Sequence, residues 1–366
     1  MLQIKKLRQV DCFFLFVMIA YAFDFGNLKY AMAWCFSAIY FLGSGLYEKR
    51  RLRGIGKEYL LVFGGITFLF AITAILQMIN GFNSYAINEA VYYYTPLIFI
   101  IVYSQISEEQ DVETILNYLF VLYVIVFLKN FAGQLTLANL KSISFANSYS
   151  PFESELAFVF LIFECFYLYM GKRKNAIISL ILCILSFKRI CMLVAISFFV
   201  LLPTLTCVIL NDTFEAWFYQ TFHITLYEAT LSRSSRIEAV MNSGQIKYGL
   251  GSVTTYLTRY LNTMHGSNFA SRSMHNDLVQ MYLECGILGS IVFTYVYMKA
   301  ASVNRMSFVL LCYIFFECYF NHLFGAGCTH IWVLIYLMMS ITGMTTRNGE
   351  NDGEKNGKNY SFYTDI

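Results

Sequence analysis

The chain has 366 residues, of which 58% are hydrophobic, 18% are aromatic and only 13% are charged. A soluble domain usually has about 25% charged residues, so this composition excludes an ordinary soluble protein and indicates a polytopic membrane protein. The net charge of +3 is small, and in a membrane protein the placement of charge matters more than its total. We expect no nucleic-acid partner.

Apolar runs near 20 residues predict the membrane helices, and flanking Lys and Arg residues orient them. Lys5, Lys6 and Arg8 place the N-terminus in the cytoplasm, and the basic run at 49–57 marks the same side. Pro96 predicts a kink, and residues 108–113 are predicted as a short acidic loop. The predicted helices are 10–23, 28–47, 59–78, 91–103, 115–131, 156–170, 278–298, 306–320 and 330–343.

Residues 176–210 permit two interpretations. This stretch is apolar except for Lys188-Arg189 and Pro203, and two full crossings would need roughly 40 residues. One broken crossing, or three short ones that extend into residues 217–226, would each leave the following loop outside the cytoplasm. The resulting fold class is an all-α polytopic membrane protein, a single domain over 1–366 with about ten (10–12) transmembrane helices. It carries a large periplasmic loop at 211–277, and we expect a disordered cytoplasmic tail at 346–366.

The long loop is unusual because it is basic although it is predicted outside. A solvated loop that touches anionic headgroups would explain this, and so would a binding site for an anionic substrate. Its candidate binding residues are Arg233, Arg236, Arg259 and Arg272.

Further candidates lie at helix ends or within apolar runs. Arg189 is costly at membrane depth, so it should face a cavity or a partner, unless it sits at a hairpin tip. His275 could act as a general base or be an ordinary surface residue, while Asn276 could cap the next helix or bind substrate. Glu284 is a candidate substrate-binding residue that we expect to support the site rather than act as a base. Glu153 could bind sugar hydroxyls or complement a helix dipole.

Two histidines flank the predicted outer turn at 321–329. His322 and His330 could line the same outer cavity as the long loop. The alternative is a structural role, because a lone histidine at a helix end is more often structural.

These segments together resemble the bacterial O-antigen polymerase and O-antigen ligase superfamily. The resemblance rests on the arginine after an apolar helix (Arg189), on Ser232-x-x-x-Arg236, on Gly249-x-Gly251, and on the block from His275-Asn276 to Glu284-x-Gly286-Ile287-x-Gly289. It covers roughly residues 176–290. Here the helix arginine is flanked by Lys188 and Ile190, whereas the family usually has Ser-Arg-Gly.

The resemblance implies a GT-C-like glycosyltransferase of the bacterial inner membrane, with its active site facing the periplasm. Donor and acceptor would be undecaprenyl-diphosphate-linked oligosaccharides held in membrane lipid, and a chain-length regulator protein would be a further partner. Arg189 and Arg236 would hold the diphosphate leaving group, with Arg233 and Arg272 as further candidates, and His275 would serve the acceptor hydroxyl. Since no metal-binding spacing is visible, we expect metal-independent, inverting transfer without a cofactor.

Three functions fit these residues. The first is a polymerase that joins lipid-linked repeat units, and the second is a ligase that transfers the finished glycan to lipid A core. The third belongs to another class, a transporter that binds the lipid-linked glycan without cleaving it. The transporter is disfavoured because no internal repeat is visible and the polar residues collect in one loop.

Overall fold

A computed structural model describes most of the helical part of the chain. The described residues are 8–47, 57–107, 109–142, 151–186, 220, 240–241, 248–264, 276–302, 306–311, 318, 324 and 328–340. All regular structure within these residues is helical. The predicted tail at 346–366 and most of the predicted loop at 211–277 lie outside them.

The helices follow the apolar runs of the sequence. Their bounds are α1 Gln9–Ala22, α2 Leu28–Tyr47, α3 Lys57–Asn80, α4 Tyr85–Ile106, α5 Glu109–Phe131, α6 Leu137–Lys141, α7 Leu156–Tyr169, α8 Arg173–Leu185, α9 Ser252–Met264, α10 Asp277–Ala301 and α11 Thr329–Ser340. A 3₁₀ turn, Ala132–Gln134, separates α5 from α6. Residues 306–311 are also helical.

The sequence predicted most of these bounds to within three residues, but two helices begin earlier than expected. α4 begins at Tyr85 rather than at 91. α5 begins at Glu109, so the predicted acidic loop is wrong over the described residues, which form the first turns of a helix. Carboxylates complement the positive end of the helix dipole, which is why an acidic stretch suits a helix start. α4 also stays helical through Pro96.

Four of the described helices are long and apolar enough to cross a bilayer, namely α3, α4, α5 and α10. Three shorter apolar helices, α1, α7 and α11, accompany them. Large apolar side chains such as Met78 and Ile79 are exposed at 84% and 74%, as expected for surfaces that face lipid. The architecture is that of a helical membrane protein, while the predicted number of about ten crossings stays a prediction.

Ion pairs define one end of the helix bundle, which we call the basic end. Arg8, at the start of α1, donates to the carbonyl of Ile106 at the end of α4 at 3.1 Å. The same guanidinium pairs with Asp111 in the first turn of α5 at 3.1 Å. Lys172, after α7, pairs with Glu113 of α5. The basic residues before α1 and after α7 therefore lie at the same end, as the predicted even number of crossings between them requires.

Aromatic rings fill the interior between α1, α2 and α4. The ring of Phe14 stacks on those of Phe99 and Tyr103, with centroids 4.8 and 4.0 Å apart. Phe36 meets Phe99 edge-on at 5.0 Å. All four side chains are fully buried. Such offset and edge-on pairs contribute about 0.5–1.5 kcal/mol each beyond the area they bury.

A glycine lets α3 approach α10. A Cβ added at Gly65 would lie 2.5 Å from Cγ2 of Val296, whereas one added at Gly64 would meet nothing within 4 Å. Small residues at a helix interface allow the backbones of membrane helices to pack closely. The two adjacent glycines thus have opposite surroundings, one facing α10 and the other facing open space.

This contrast gives a matched pair of substitutions. Gly65→Leu should destabilise the protein by about 1–3 kcal/mol through overpacking, and its melting temperature in detergent should fall. Gly64→Leu should leave the melting temperature unchanged or raise it, because leucine favours helix over glycine. Equal effects of the two substitutions would contradict the α3–α10 packing described above.

Candidate functional site

The loop Gly249-Leu250-Gly251 lies at the opposite end of the bundle, which we call the glycine-loop end. The backbone N–H of Leu250 donates to Oγ1 of Thr73 on α3 at 3.1 Å. The N–H of Gly249 donates to the carbonyl of Glu284 on α10 at 2.9 Å. Three helices and this loop therefore meet where α3 ends and α4 and α10 begin.

Both glycines are required by conformation and by space. Gly249 and Gly251 have φ angles of +88° and +82°, in the region that side chains with a Cβ rarely adopt. A Cβ on Gly249 would lie 2.8 Å from Cγ2 of Thr73, and one on Gly251 would lie 2.9 Å from the carbonyl carbon of Tyr85. The Gly-x-Gly pattern is thus a close backbone contact with α3 and α4.

Glu284 joins this loop to α10. Its side chain is 1% exposed, and its Oε1 accepts hydrogen bonds from the N–H of Val253 at 3.0 Å and from Nε2 of Gln280 at 3.2 Å. Its carbonyl accepts from Gly249. A single buried residue thus fixes both the glycine loop and the first turn of α9. The role of Glu284 in a functional site stays a prediction.

The second glycine pattern, Gly286-x-x-Gly289, explains why the Glu284 carbonyl is available. Gly286 has φ +70° and ψ −171°, which breaks the helical path inside α10. Breaking a helix releases carbonyls of the preceding turn from their intrahelical bonds, and they need other donors. The N–H of Gly249 is such a donor for Glu284. The Gly249-x-Gly251 segment and the segment from Glu284 to Gly289 are therefore joined by the hydrogen bond from Gly249 to Glu284.

Asn276 caps α10. Its Oδ1 accepts from the N–H of Val279 at 2.9 Å, which satisfies one of the unpaired donors at a helix start. This confirms the capping role weighed from sequence, and the predicted binding role of Asn276 is untested. His275, the residue before it, lies outside the described residues.

Three carboxyl groups are buried near one another at this end. Glu89 of α4 and Asp277 of α10 are each 5% exposed, and Glu284 is 1% exposed. All three lie within electrostatic reach of the buried Tyr93. Buried carboxylates in a membrane protein are costly unless cations or hydrogen-bond donors compensate them, and they usually mark functional sites. The described part of the site is therefore acidic.

Glu89 is the residue that sequence reasoning missed. The predicted helix began at 91, which left Glu89 in a turn, whereas α4 carries it in its second turn. The signal was nevertheless present, because Glu89 is the sole charged residue between Glu58 and Glu108. An isolated carboxylate beside long apolar runs is a functional candidate by default.

Arg259 lies on α9, an amphipathic helix. Val253 and Leu257, one turn apart, are buried and pack with Val240 and Leu283. Arg259 is on the other side of α9 and is exposed. Thr255 of α9 donates to Oδ1 of Asn83 at 2.9 Å, which anchors α9 to the α3–α4 turn. The predicted substrate-binding role of Arg259 thus requires a ligand that approaches the outer surface of α9.

A second polar group lies at the starts of α2 and α11. Nζ of Lys29 is 2.6 Å from Oδ1 of Asp24, and this hydrogen bond holds the pKa of Asp24 below its usual range. Tyr30 and Thr329 are hydrogen-bonded at 3.2 Å. The ring of His330 stacks on Tyr123 at 5.8 Å. His330 thus packs against α5, while His322 lies outside the described residues.

The other predicted site residues divide by whether the structure describes them. Glu153 is exposed and precedes α7, at the end away from Lys172, where the neighbouring Ser154 N–H donates to the carbonyl of Ser186 at 3.0 Å. Five predicted site residues lie outside the described residues, and their roles stay predictions. They are Arg189, Arg233, Arg236, Arg272 and His275. Among the described residues no group of His, Cys, Asp and Glu is arranged to hold a metal ion.

Comparisons with known proteins add no assignment. No family model, no curated protein and no solved structure matches this chain.

Proposed function

We propose that this chain is an O-antigen polymerase, a glycosyltransferase of the bacterial inner membrane that joins undecaprenyl-diphosphate-linked oligosaccharide repeat units at the periplasmic face. One observation supports the proposal most. The Gly249-x-Gly251 segment and the block from Asn276 to Gly289 both belong to the pattern by which the sequence resembles the family. In the structure they contact each other through Glu284, as parts of a single site should.

The proposed chemistry begins with the leaving group. Transfer of a sugar from a lipid diphosphate develops negative charge on the diphosphate, which preorganised cations stabilise. Arg189 and Arg236 have this role in the proposal, with Arg233 and Arg272 as further ligands of the phosphates. The buried carboxyl groups of Glu89 and Asp277 lie at the end where these arginines are expected. They would orient guanidinium groups or sugar hydroxyls.

The acceptor needs a positioned base. A sugar hydroxyl attacks well only if its proton is accepted in the transition state, and histidine has a suitable basicity near neutral pH. His275 directly precedes Asn276, the N-cap of α10, in the sequence. Attack in a single displacement would invert the anomeric centre. The donor and acceptor lipids would lie among the apolar helices.

The proposal is tested by glycan length on the cell surface, measured as a gel ladder. A strain of the source bacterium that lacks this protein should bear lipid A core with a single repeat, and wild-type protein should restore the ladder. His275→Ala, Arg236→Ala and Arg189→Lys should each shorten or abolish it, with protein levels unchanged in immunoblots. An inverting enzyme with one positioned base typically loses about 10²–10⁴-fold in rate without that base.

Three outcomes would contradict the proposal in different ways. If loss of the protein removes all glycan from lipid A core while long lipid-linked chains accumulate, the protein is the ligase. If all three variants restore a full ladder, the assigned site is wrong. Accumulation of lipid-linked repeat units on the cytoplasmic face alone would instead indicate a transporter.

A further inference from the structure

A cavity of about 700 Å³ opens at the basic end, far from the glycine loop. It lies between the first half of α5 and the turn that joins α7 to α8. Its lining residues are Asn117, Phe120, Val121, Tyr167, Gly171, Lys172, Arg173, Lys174 and Asn175. None of these residues belongs to the site described above, and the proposed glycosyl transfer does not use them.

The α7–α8 turn places three consecutive basic residues at this cavity. Gly171 has φ +69°, its N–H donates to the carbonyl of Leu168 at 3.1 Å, and the N–H of Lys172 donates to that of Tyr167 at 2.8 Å. These two bonds are the Schellman pattern that ends a helix. α8 begins directly after this turn, at Arg173. The turn is therefore short, and it places the three basic residues beside α5.

The positive charges at the cavity are balanced only in part by acidic residues of the described chain. Lys172 pairs with Glu113. Arg173 and Lys174 are exposed and form no ion pair within the part of the chain that the structure describes. No side chain caps the start of α8, so the positive end of its dipole adds to the two free cations. The cavity therefore favours an anion.

Amide groups add hydrogen-bond donors. The hydroxyl of Tyr167 donates to Oδ1 of Asn117 at 3.1 Å, which fixes the amide of Asn117. Its NH₂ group carries donor hydrogens, as does that of Asn175, which also lines the cavity. Guanidinium, ammonium and amide donors around one concave space match the several acceptor oxygens of a phosphate group.

The other side of the cavity is apolar and continues along the membrane surface. Phe120 and Val121 line it. Val121, Ile125 and Leu128 are exposed at 46%, 51% and 45%, and their spacing of four and three residues places them on one face of α5. This stripe leads from the cavity toward the other end of the bundle, along the path that an acyl chain would take.

We propose that this cavity binds an anionic phospholipid, with the phosphate at Arg173 and Lys174 and an acyl chain on the Val121–Leu128 stripe of α5. Basic clusters also arise as simple markers of membrane orientation. A basic cluster that only sets membrane orientation needs neither a cavity nor an apolar stripe that begins in that cavity. The combination of a cationic rim, amide donors and an apolar side selects a phosphate that is attached to a lipid rather than a free one.

The test measures lipid binding by the full-length protein in phosphatidylcholine nanodiscs or micelles. Native mass spectrometry would count phosphatidylglycerol molecules that stay bound. The double variant R173Q/K174Q should weaken this binding by at least about tenfold, since each basic residue near a membrane surface contributes roughly fivefold. Lys299→Gln is the matched control, because Lys299 is exposed in the last turn of α10 but does not line the cavity.

A second variant leaves the charge unchanged. Val121→Trp should obstruct the cavity and lower binding of phosphatidylglycerol. Ile177→Trp, at an exposed position of α8 outside the lining, should not. The melting temperature without added anionic lipid checks that each variant is folded.

Three results would overturn the proposal. The first is equal loss of binding in R173Q/K174Q and Lys299→Gln, and the second is unchanged binding in both R173Q/K174Q and Val121→Trp. The third is displacement of phosphatidylglycerol by inorganic phosphate at comparable concentration, which would assign the site to free phosphate. The glycan ladder is a separate readout, so this proposal and the proposed polymerase function can fail independently.

Discussion

Gly251→Ala is expected to cause the largest loss of stability among single substitutions at the glycine loop, and with it loss of the surface glycan ladder. An alanine at φ +82° costs about 1–2 kcal/mol. Its Cβ would also lie 2.9 Å from the carbonyl carbon of Tyr85 and 3.1 Å from the N of Ala86. These are backbone atoms, so relief requires α4 to move, and overpacking adds about 1–3 kcal/mol.

Gly81→Ala separates the cost of the backbone conformation from the cost of the Cβ clash. Gly81 also has a positive φ, +98°, but a Cβ there would meet nothing within 4 Å. This control should show only the conformational cost, about 1–2 kcal/mol, and keep the ladder. Melting temperatures in detergent and surface glycan gels would be compared for both variants. A Gly251→Ala protein as stable as Gly81→Ala would disprove the close contact between the glycine loop and α4.

Glu284→Ala should have the second-largest effect. It would leave the buried N–H of Val253 without its acceptor and remove the acceptor of Gln280. An unsatisfied buried donor costs about 1–3 kcal/mol, and the space left by the side chain adds to this. The first turn of α9 should lose its side-chain anchor on α10, so the melting temperature should fall and the ladder should be lost.

Glu284→Gln tests what kind of role this residue has. Glutamine keeps an oxygen that can accept from Val253, so the folded protein should retain most of its stability and its ladder. Tyr282→Ala, at a side chain that is 48% exposed on the same helix, controls for general damage to α10. A Glu284→Gln protein that is folded but makes no ladder would show that the carboxyl group itself takes part in the reaction.

The long apolar helices α3 and α10 were predictable because their apolar runs had nearly the length of a membrane crossing. Turns at 81–83 and at Gly171 also matched polar or glycine positions in the sequence. The early starts of α4 and α5 were not predicted, because the residues concerned are polar and carry charge. The start of α5 is stabilised by tertiary contacts, because Arg8 and Lys172 form ion pairs with Asp111 and Glu113.

At the candidate site, sequence patterns indicated the residues but not their geometry. The sequence from Asn276 to Gly289 suggested a capped helix, and the cap by Asn276 is present. It could not show that Gly286 breaks the helix, or that the released carbonyl of Glu284 accepts from Gly249. That bond joins positions 35 residues apart in sequence, and local propensity says nothing about such a separation.

The sequence by itself determined that this protein is a helical membrane protein, since the bilayer selects long apolar segments whatever their neighbours. The sequence also determined which ends of the helices carry Lys and Arg, because these residues flank the apolar runs. Only the tertiary structure decided that Glu89 joins Asp277 and Glu284 in one buried acidic group, and that Lys172–Lys174 border a cavity. Both arrangements depend on which helices pack together, and that is set by contacts such as Gly65 with Val296 rather than by any single segment.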